Sequence, residues 1–227
     1  MLPALPAASV TIPINSRVFP GAAITVGQNK CTGAFAFVDQ VGRLFISTAG
    51  HCVDSAARAD RTTPSGDRMW RGTRGPLVTD GGGNVLGHVT YAALSTGIDF
   101  ALIELARGVV ASNVIPGSGR ITHVAVAPHA ETQINLYGQG LGVSDAMPER
   151  TGLITAVEPS IVRLAIASVP GDSGGPVYDT TSGAVGILMG SDVSITPDVG
   201  VIRASRLNVM LARVSRALKA KLVLLRS

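Results

Sequence analysis

Charge, aromatic side chains and cysteine are all scarce in these 227 residues: 15% are charged, 4% are aromatic and two are cysteine. No apolar run is long enough for a membrane-crossing helix. No Cys and His set takes a zinc spacing, and no paired acidic loop suits calcium. His88, His123 and His129 are scattered and lack a pattern such as H-E-x-x-H, so each reads as a surface or packing residue. No metal and no cofactor is expected. No glycine-rich loop opens a helix to cradle phosphate. Basic and aromatic residues are not interleaved as in proteins that grip single strands, and the net charge is only +4, so nucleic acid is not an expected partner. The stretch Met1–Ser9 is short, proline-rich and lacks a basic start, so it does not read as a signal peptide. It reads as the stretch left after removal of a signal or propeptide, with residues 1–20 as an arm or linker.

What is present is glycine, 27 residues of it, between short apolar stretches. That suits many β-strands joined by turns. The length allows a substantial core, as one unit or two packed barrels. Gly81-Gly82-Gly83-Asn84 reads as a hairpin tip between strands. From about Arg203 to Leu225 the period changes: Leu207, Met210, Leu211, Val214, Leu218 and Leu222 form a helical stripe. Arg206, Arg213, Arg216, Lys219 and Lys221 make the other face basic. That face reads as the solvated side of a packed helix. The sharper reading is adhesion to an anionic surface such as membrane or cell wall.

Three local motifs carry chemistry. Gly171-Asp172-Ser173-Gly174-Gly175-Pro176 places a serine on a glycine-lined loop, where the N–H groups of Gly171 and Ser173 can converge on one point. Two such donors stabilise the oxyanion formed when a serine attacks a carbonyl. A serine is a poor nucleophile alone and needs a base, which in turn needs an orienting group. His51, in Ser47-Thr48-Ala49-Gly50-His51-Cys52, follows the apolar run Leu44-Phe45-Ile46, which reads as a strand. Asp99 begins the apolar strand Asp99-Phe100-Ala101-Leu102-Ile103, so its carboxylate is expected to be partly buried. A buried carboxylate needs a partner, and an imidazole N–H is a suitable one.

The order His51, Asp99, Ser173 and all three motifs resemble the chymotrypsin-like serine peptidases, closer to bacterial members. The match runs from about Cys31 to about Arg203. The resemblance implies an all-β fold of two packed antiparallel six-stranded β-barrels with a C-terminal α-helix. Residues 21–115 would form the first barrel with His51 and Asp99, 116–203 the second with Ser173, and 204–227 a helix packed on the second barrel. It implies a disulfide between Cys31 and Cys52 bracing the histidine loop, the alternative being two free buried thiols. Such a bond favours an extracellular or periplasmic location, hence a secreted protein.

Animal members of the family carry an Ile-Val-Gly-Gly terminus whose ammonium pairs with the aspartate before the catalytic serine. Ala23-Ile24-Thr25-Val26-Gly27 is a poor match, so Asp172 is expected to have an internal partner, with Tyr137 as a candidate donor. The position six before the serine, acidic in members that select basic side chains, is Ala167. The pocket would be lined by Ala167, Ser168, Val169 and Pro170 on one side and by Met189, Gly190, Ser191 and Gly200 on the other, with Asp192 and Asp198 within reach. An unpaired cation there would be costly to bury, so a small or medium apolar side chain is expected before the scissile bond. Many family members have a serine supporting the catalytic aspartate where this chain has Leu188 or Met189. Two functional classes remain: a monomeric serine endopeptidase acting on protein or peptide, or a latent or inactive peptidase-fold binding protein.

Overall fold

In the strand Ile98–Leu105 the alternation of side chains serves two cores at once. Ala101 and Ile103 point into one hydrophobic cluster, while Phe100 and Leu102 point into another. Successive residues of a strand face opposite sides, so the stretch lying between two cores, Phe100 to Ile103, is apolar on both faces. The same division recurs at Ala36 against Phe37 and at Ile46 against Phe45. The computed structural model describes residues 16–140, 148–191 and 202–226.

The first barrel is a ring of antiparallel pairings. Ala23–Val26 pairs with Leu77–Asp80, which pairs with Val85–Ser95, then Ile98–Leu105, then Leu44–Thr48. Leu44–Thr48 pairs with Ala36–Val38, and Asn29–Thr32 pairs back to Ala23–Val26. Asn29–Thr32 and Ala36–Val38 are two halves of one bent stretch, interrupted at residues 33–35, and together they close the ring. A Cβ at Gly33 would lie 2.9 Å from Ile46 Cδ1, so a larger residue at the bend would displace the end of that side chain. Ile24, Val26, Ile46, Val78, Leu86 and Val89 fill the interior. The Gly81–Asn84 tip is a hairpin turn, with Asp80 Oδ1 accepting the Gly82 and Asn84 N–H groups at 2.9 and 2.8 Å.

The second barrel closes by continuous ladders as a six-stranded ring. Its order is Gln133–Tyr137, Glu149–Val157, Ile161–Ala165, Ile202–Arg206, Gly183–Ser191 and Pro176–Asp179, which returns to Gln133–Tyr137. Ile134, Leu136, Ile154, Val162, Leu164 and Val177 form its core.

Between the barrels lies a third cluster, which takes all three tyrosines and every phenylalanine but Phe19. The few aromatics of the chain are thus concentrated where two curved surfaces must be joined. Full burial of such a side chain stabilises by roughly 1.5–3 kcal/mol.

The helix Leu207–Leu218 adds Leu207, Met210 and Val214 to this central cluster. It is shorter than its apolar stripe predicts. Lys219 turns left-handed at φ 53°, which ends the helix. Val223–Leu224 then pairs antiparallel with Ala36–Val38 of the first barrel. Leu222 and Leu224 are buried by this return stretch rather than by a helical face. Asn113 holds the strap: its Oδ1 accepts the Ala36 N–H at 2.8 Å, and its Nδ2 donates to Ala36 O at 2.8 Å and Leu225 O at 3.0 Å. The helix also bears on the first barrel, where Arg213 grips the Asp67 carboxylate that accepts the Tyr91 hydroxyl at 2.8 Å. The basic face of the helix is therefore partly committed to internal pairing. No helix among the described residues is long and apolar enough to cross a membrane.

Candidate active site

The strand Leu44–Thr48 delivers the chain into a 3-10 turn over Gly50–Cys52 that carries His51. A Cβ at Gly50 would stand 2.2 Å from the Ala93 carbonyl oxygen, so only glycine lets this turn lie against the neighbouring strands. Asp99 meets the turn from the start of Ile98–Leu105. Its Oδ1 accepts the His51 backbone N–H at 2.8 Å, and its Oδ2 lies 2.7 Å from His51 Nδ1. The carboxylate thus fixes both the loop and the ring, and selects the tautomer with the proton on Nδ1. That hydrogen bond raises the His51 pKa above its ordinary value; burial opposes the rise, and the carboxylate's charge adds to it. The imidazole remains 37% exposed, leaving its far edge accessible.

Asp99 is itself held from the second barrel. Its backbone N–H donates to Ser205 Oγ at 3.1 Å, and Ser205 Oγ donates to the Asp99 carbonyl at 2.9 Å. Ser205 thus holds the main chain of Asp99 from Ile202–Arg206, a different strand from the one that carries Leu188 and Met189. Leu188 is a core residue, and only its main chain serves the site: its carbonyl accepts the Gly174 N–H and its N–H donates to Gly175 O, both at 2.9 Å. Sequence motifs do not single out Ser205. Its one signal is that, in Ile202–Arg206, it lies off the inward face marked by Ile202 and Ala204.

The Ser173 loop is anchored across the barrel junction. The Thr32 N–H donates to Ser173 O at 2.8 Å, and Thr32 Oγ1 donates to Gly171 O at 2.8 Å. Gly171 and Gly174 have φ values of 102° and 85°, which L side chains rarely adopt. A Cβ at Gly174 would also lie 2.1 Å from Thr48 Oγ1. Among the described residues, the N–H groups of Gly171 and Ser173 have no protein acceptor. Ser173 Oγ is not hydrogen bonded to His51 either. Such contacts tighten when substrate binds.

Asp172 is 0% exposed and accepts three hydrogen bonds: from Arg150 Nη1 at 2.6 Å, Gly140 N–H at 2.8 Å and Val169 N–H at 2.8 Å. Its partner is Arg150, which corrects the expectation of Tyr137. The Tyr137 ring instead packs against Gly21, where a Cβ would come within 2.1 Å of Cδ1. Arg150 could have been found by alternation, since it shares the inward face of Glu149–Val157 with Ile154.

Of the expected pocket residues, Ala167, Ser168, Val169 and Pro170 form the segment entering the Ser173 loop. Asp172 closes the turn there by donating its N–H to Val169 O at 3.1 Å. Met189 and Gly190 lie on Gly183–Ser191, with Ser191 ending that strand, and the ladder shifts register between Leu188 and Gly190. Gly190 borders the nucleophile position: a Cβ there would be 3.7 Å from Ser173 Oγ. Gly200, Asp192 and Asp198 lie outside the described residues.

Cys31 and Cys52 form a disulfide that ties the histidine turn to the Asn29–Thr32 strand. Cys31, His51 and Cys52 bring potential donor atoms within 4.8 Å of one another, but both sulfurs are consumed by that bond. His88, His123 and His129 do not come together; they bond to Gly75, Thr122 and Thr132.

No family model matches the sequence. The uncharacterized protein Rv1815 of Mycobacterium tuberculosis is 30% identical over 177 residues, covering 76% of this chain and 72% of that protein. Among solved structures, Nocardiopsis protease superposes with a TM-score of 0.63 at 20% identity, covering 91% of this chain and 99% of its own. A glutamic acid specific serine protease gives 0.64 at 21% identity, covering 91% and 100%. An alpha-lytic protease homologue, N4, gives 0.60 at 19% identity, covering 90% and 98%. The chain therefore belongs to one family with Rv1815, built on the fold of the chymotrypsin-like serine proteases.

Proposed function

We propose that this protein is a serine endopeptidase that cleaves peptide bonds through an acyl-enzyme. The observation that carries the reading is the 2.7 Å contact between His51 Nδ1 and Asp99 Oδ2 on the fold that also presents Ser173. Ser173 Oγ attacks the substrate carbonyl while His51 Nε2 takes its proton. The N–H groups of Gly171 and Ser173 hold the oxyanion. His51 returns the proton to the leaving amine as the C–N bond breaks, leaving an ester on Ser173. Water, deprotonated by His51, then attacks the ester and releases the acid and the Ser173 hydroxyl.

The pocket suits a small or medium apolar side chain, since Ala167 offers no counter-charge to a buried cation. One neighbour of this fold is specific for glutamic acid and uses a histidine triad in substrate binding. In this chain His88, His123 and His129 bond to residues outside the Ala167–Pro170 and Met189–Gly190 walls, which gives no support to that specificity. The disulfide fits an oxidising compartment and supports a secreted protein.

The test is fluorophosphonate labelling read by intact mass, with Ser173→Ala as control. One adduct on the wild type and none on the variant is the expected result. An unlabelled wild type would overturn the reading in favour of an inactive binding protein. A peptide library would then check specificity, and a dominant Arg, Lys or Glu preference before the cut would overturn the apolar assignment.

A further inference from the structure

Thr32 ties the Ser173 loop to the strand that leads into His51. Its N–H donates to Ser173 O at 2.8 Å, its hydroxyl donates to Gly171 O at 2.8 Å, and the same hydroxyl accepts the Gln139 N–H at 3.1 Å. Its own carbonyl accepts the Thr48 hydroxyl at 2.9 Å, from the strand that leads into His51. It is fully buried, and it follows Cys31, whose sulfur is bonded to Cys52 beside His51.

A peptide plane joins each carbonyl to the next residue's N–H. Holding Gly171 O therefore fixes the plane 171–172, and holding Ser173 O fixes the plane 173–174. The Ser173 N–H sits in the plane between them, bracketed on both sides. The Gly171 N–H sits one residue earlier, across a glycine at φ 102°, in a turn that the Asp172 N–H also closes by donating to Val169 O at 3.1 Å. Among these four hydrogen bonds of Thr32, only the two through its hydroxyl depend on side-chain identity. A residue with the same shape and no hydroxyl would keep the grip on Ser173 O and lose the grip on Gly171 O.

We propose that Thr32 is a positioning residue: from the first barrel, its hydroxyl sets the two N–H groups of the oxyanion site on the second. This rests on the reading of Gly171 and Ser173 as oxyanion donors. Misplacing a donor acts on the transition state far more than on substrate binding.

The test compares wild type, Thr32→Val and Thr32→Ser on a peptide ester with an apolar residue before the scissile bond. A peptide aldehyde is added as a probe, since its adduct carries the oxyanion. Thr32→Val is expected to lower kcat about 10- to 100-fold, with KM within about threefold. Inhibition by the aldehyde should weaken in parallel, and Thr32→Ser should restore both. The low-field proton resonance of the His51–Asp99 bond should not move in either variant. Wild-type kcat in Thr32→Val, or an equal loss in Thr32→Ser, would overturn the proposal. If Thr32→Val does not fold, Thr32→Ala is compared with Thr32→Ser by the same criteria. An active wild type with an unaffected Thr32→Val would overturn this inference alone. A wild type that neither hydrolyses the ester nor takes a fluorophosphonate would overturn the catalytic reading, and this inference with it.

Discussion

Arg150 donates from Nη1 to Asp172 Oδ2 at 2.6 Å, and both side chains are buried inside the second barrel. Arg150 supplies Asp172 with the cation that, by the family resemblance, a freed amino terminus supplies in animal members. The residue before Ser173 therefore has its cation within the barrel.

Breaking that pair should be costly in one direction only. Arg150→Met leaves a buried carboxylate without its cation and should lower the unfolding free energy by about 3–5 kcal/mol. Urea denaturation would measure it. Adding Asp172→Asn should recover part of the loss, because the uncompensated charge is then gone. A loss below about 1 kcal/mol in the single variant would refute the assignment of a buried, charged pair.

The acid limb of the pH–rate profile should report His51. Asp99 raises its pKa above 6.5, and the base must be neutral to accept a proton, so kcat/KM should fall as pH drops through a midpoint above 6.5. Asp99→Asn should shift that midpoint down and lower kcat by roughly 10⁴. The same pair has a stability signature of opposite sign. A raised folded pKa adds stability that is complete below the unfolded value and is lost as pH rises through the folded one. A midpoint below 6.5 in the wild type would count against the pairing.

Mass analysis of denatured, unreduced protein should find no free thiol. Replacing Cys31 and Cys52 together by Ala should cost about 3 kcal/mol of stability, on the loop-closure account of a bond spanning 21 residues. Labelling of Ser173 in that variant should slow as well, since the bond anchors the turn that carries His51.

Asn113→Ala removes one donor and one acceptor from three hydrogen bonds, two of them buried, and should destabilise by about 1–3 kcal/mol. Hydrogen exchange should then rise first at Leu224 and Leu225, while the Gln133–Tyr137 strand of the second barrel stays protected. Uniform exchange across both barrels would show that the strap is not a separable element.

The parts of this architecture that local sequence reveals are those whose chemistry needs special residue types in short order. His51 after a glycine and Asp99 opening an apolar strand announce themselves, and the structure brings these two side chains together. Arg150, Ser205 and Thr32 do not, because each matters through partners distant in sequence. Thr32 reaches Gly171 across 139 positions, and Ser205 reaches Asp99 across 106. The end of the helix is hidden for a different reason. Leu222 continues the periodic stripe, and the turn at Lys219 comes from a backbone conformation that lysine does not signal.

The strap over Ala36–Val38 also orders events in time. Its two strands lie far apart in sequence, as Val223 pairs with Val38. On a ribosome or emerging from a translocation pore, the edge of the first barrel stays unpaired until Val223 and Leu224 have been delivered. Non-local closures of this kind slow folding and leave an adhesive edge open meanwhile. The protein should accordingly be most prone to aggregate just before those two residues arrive.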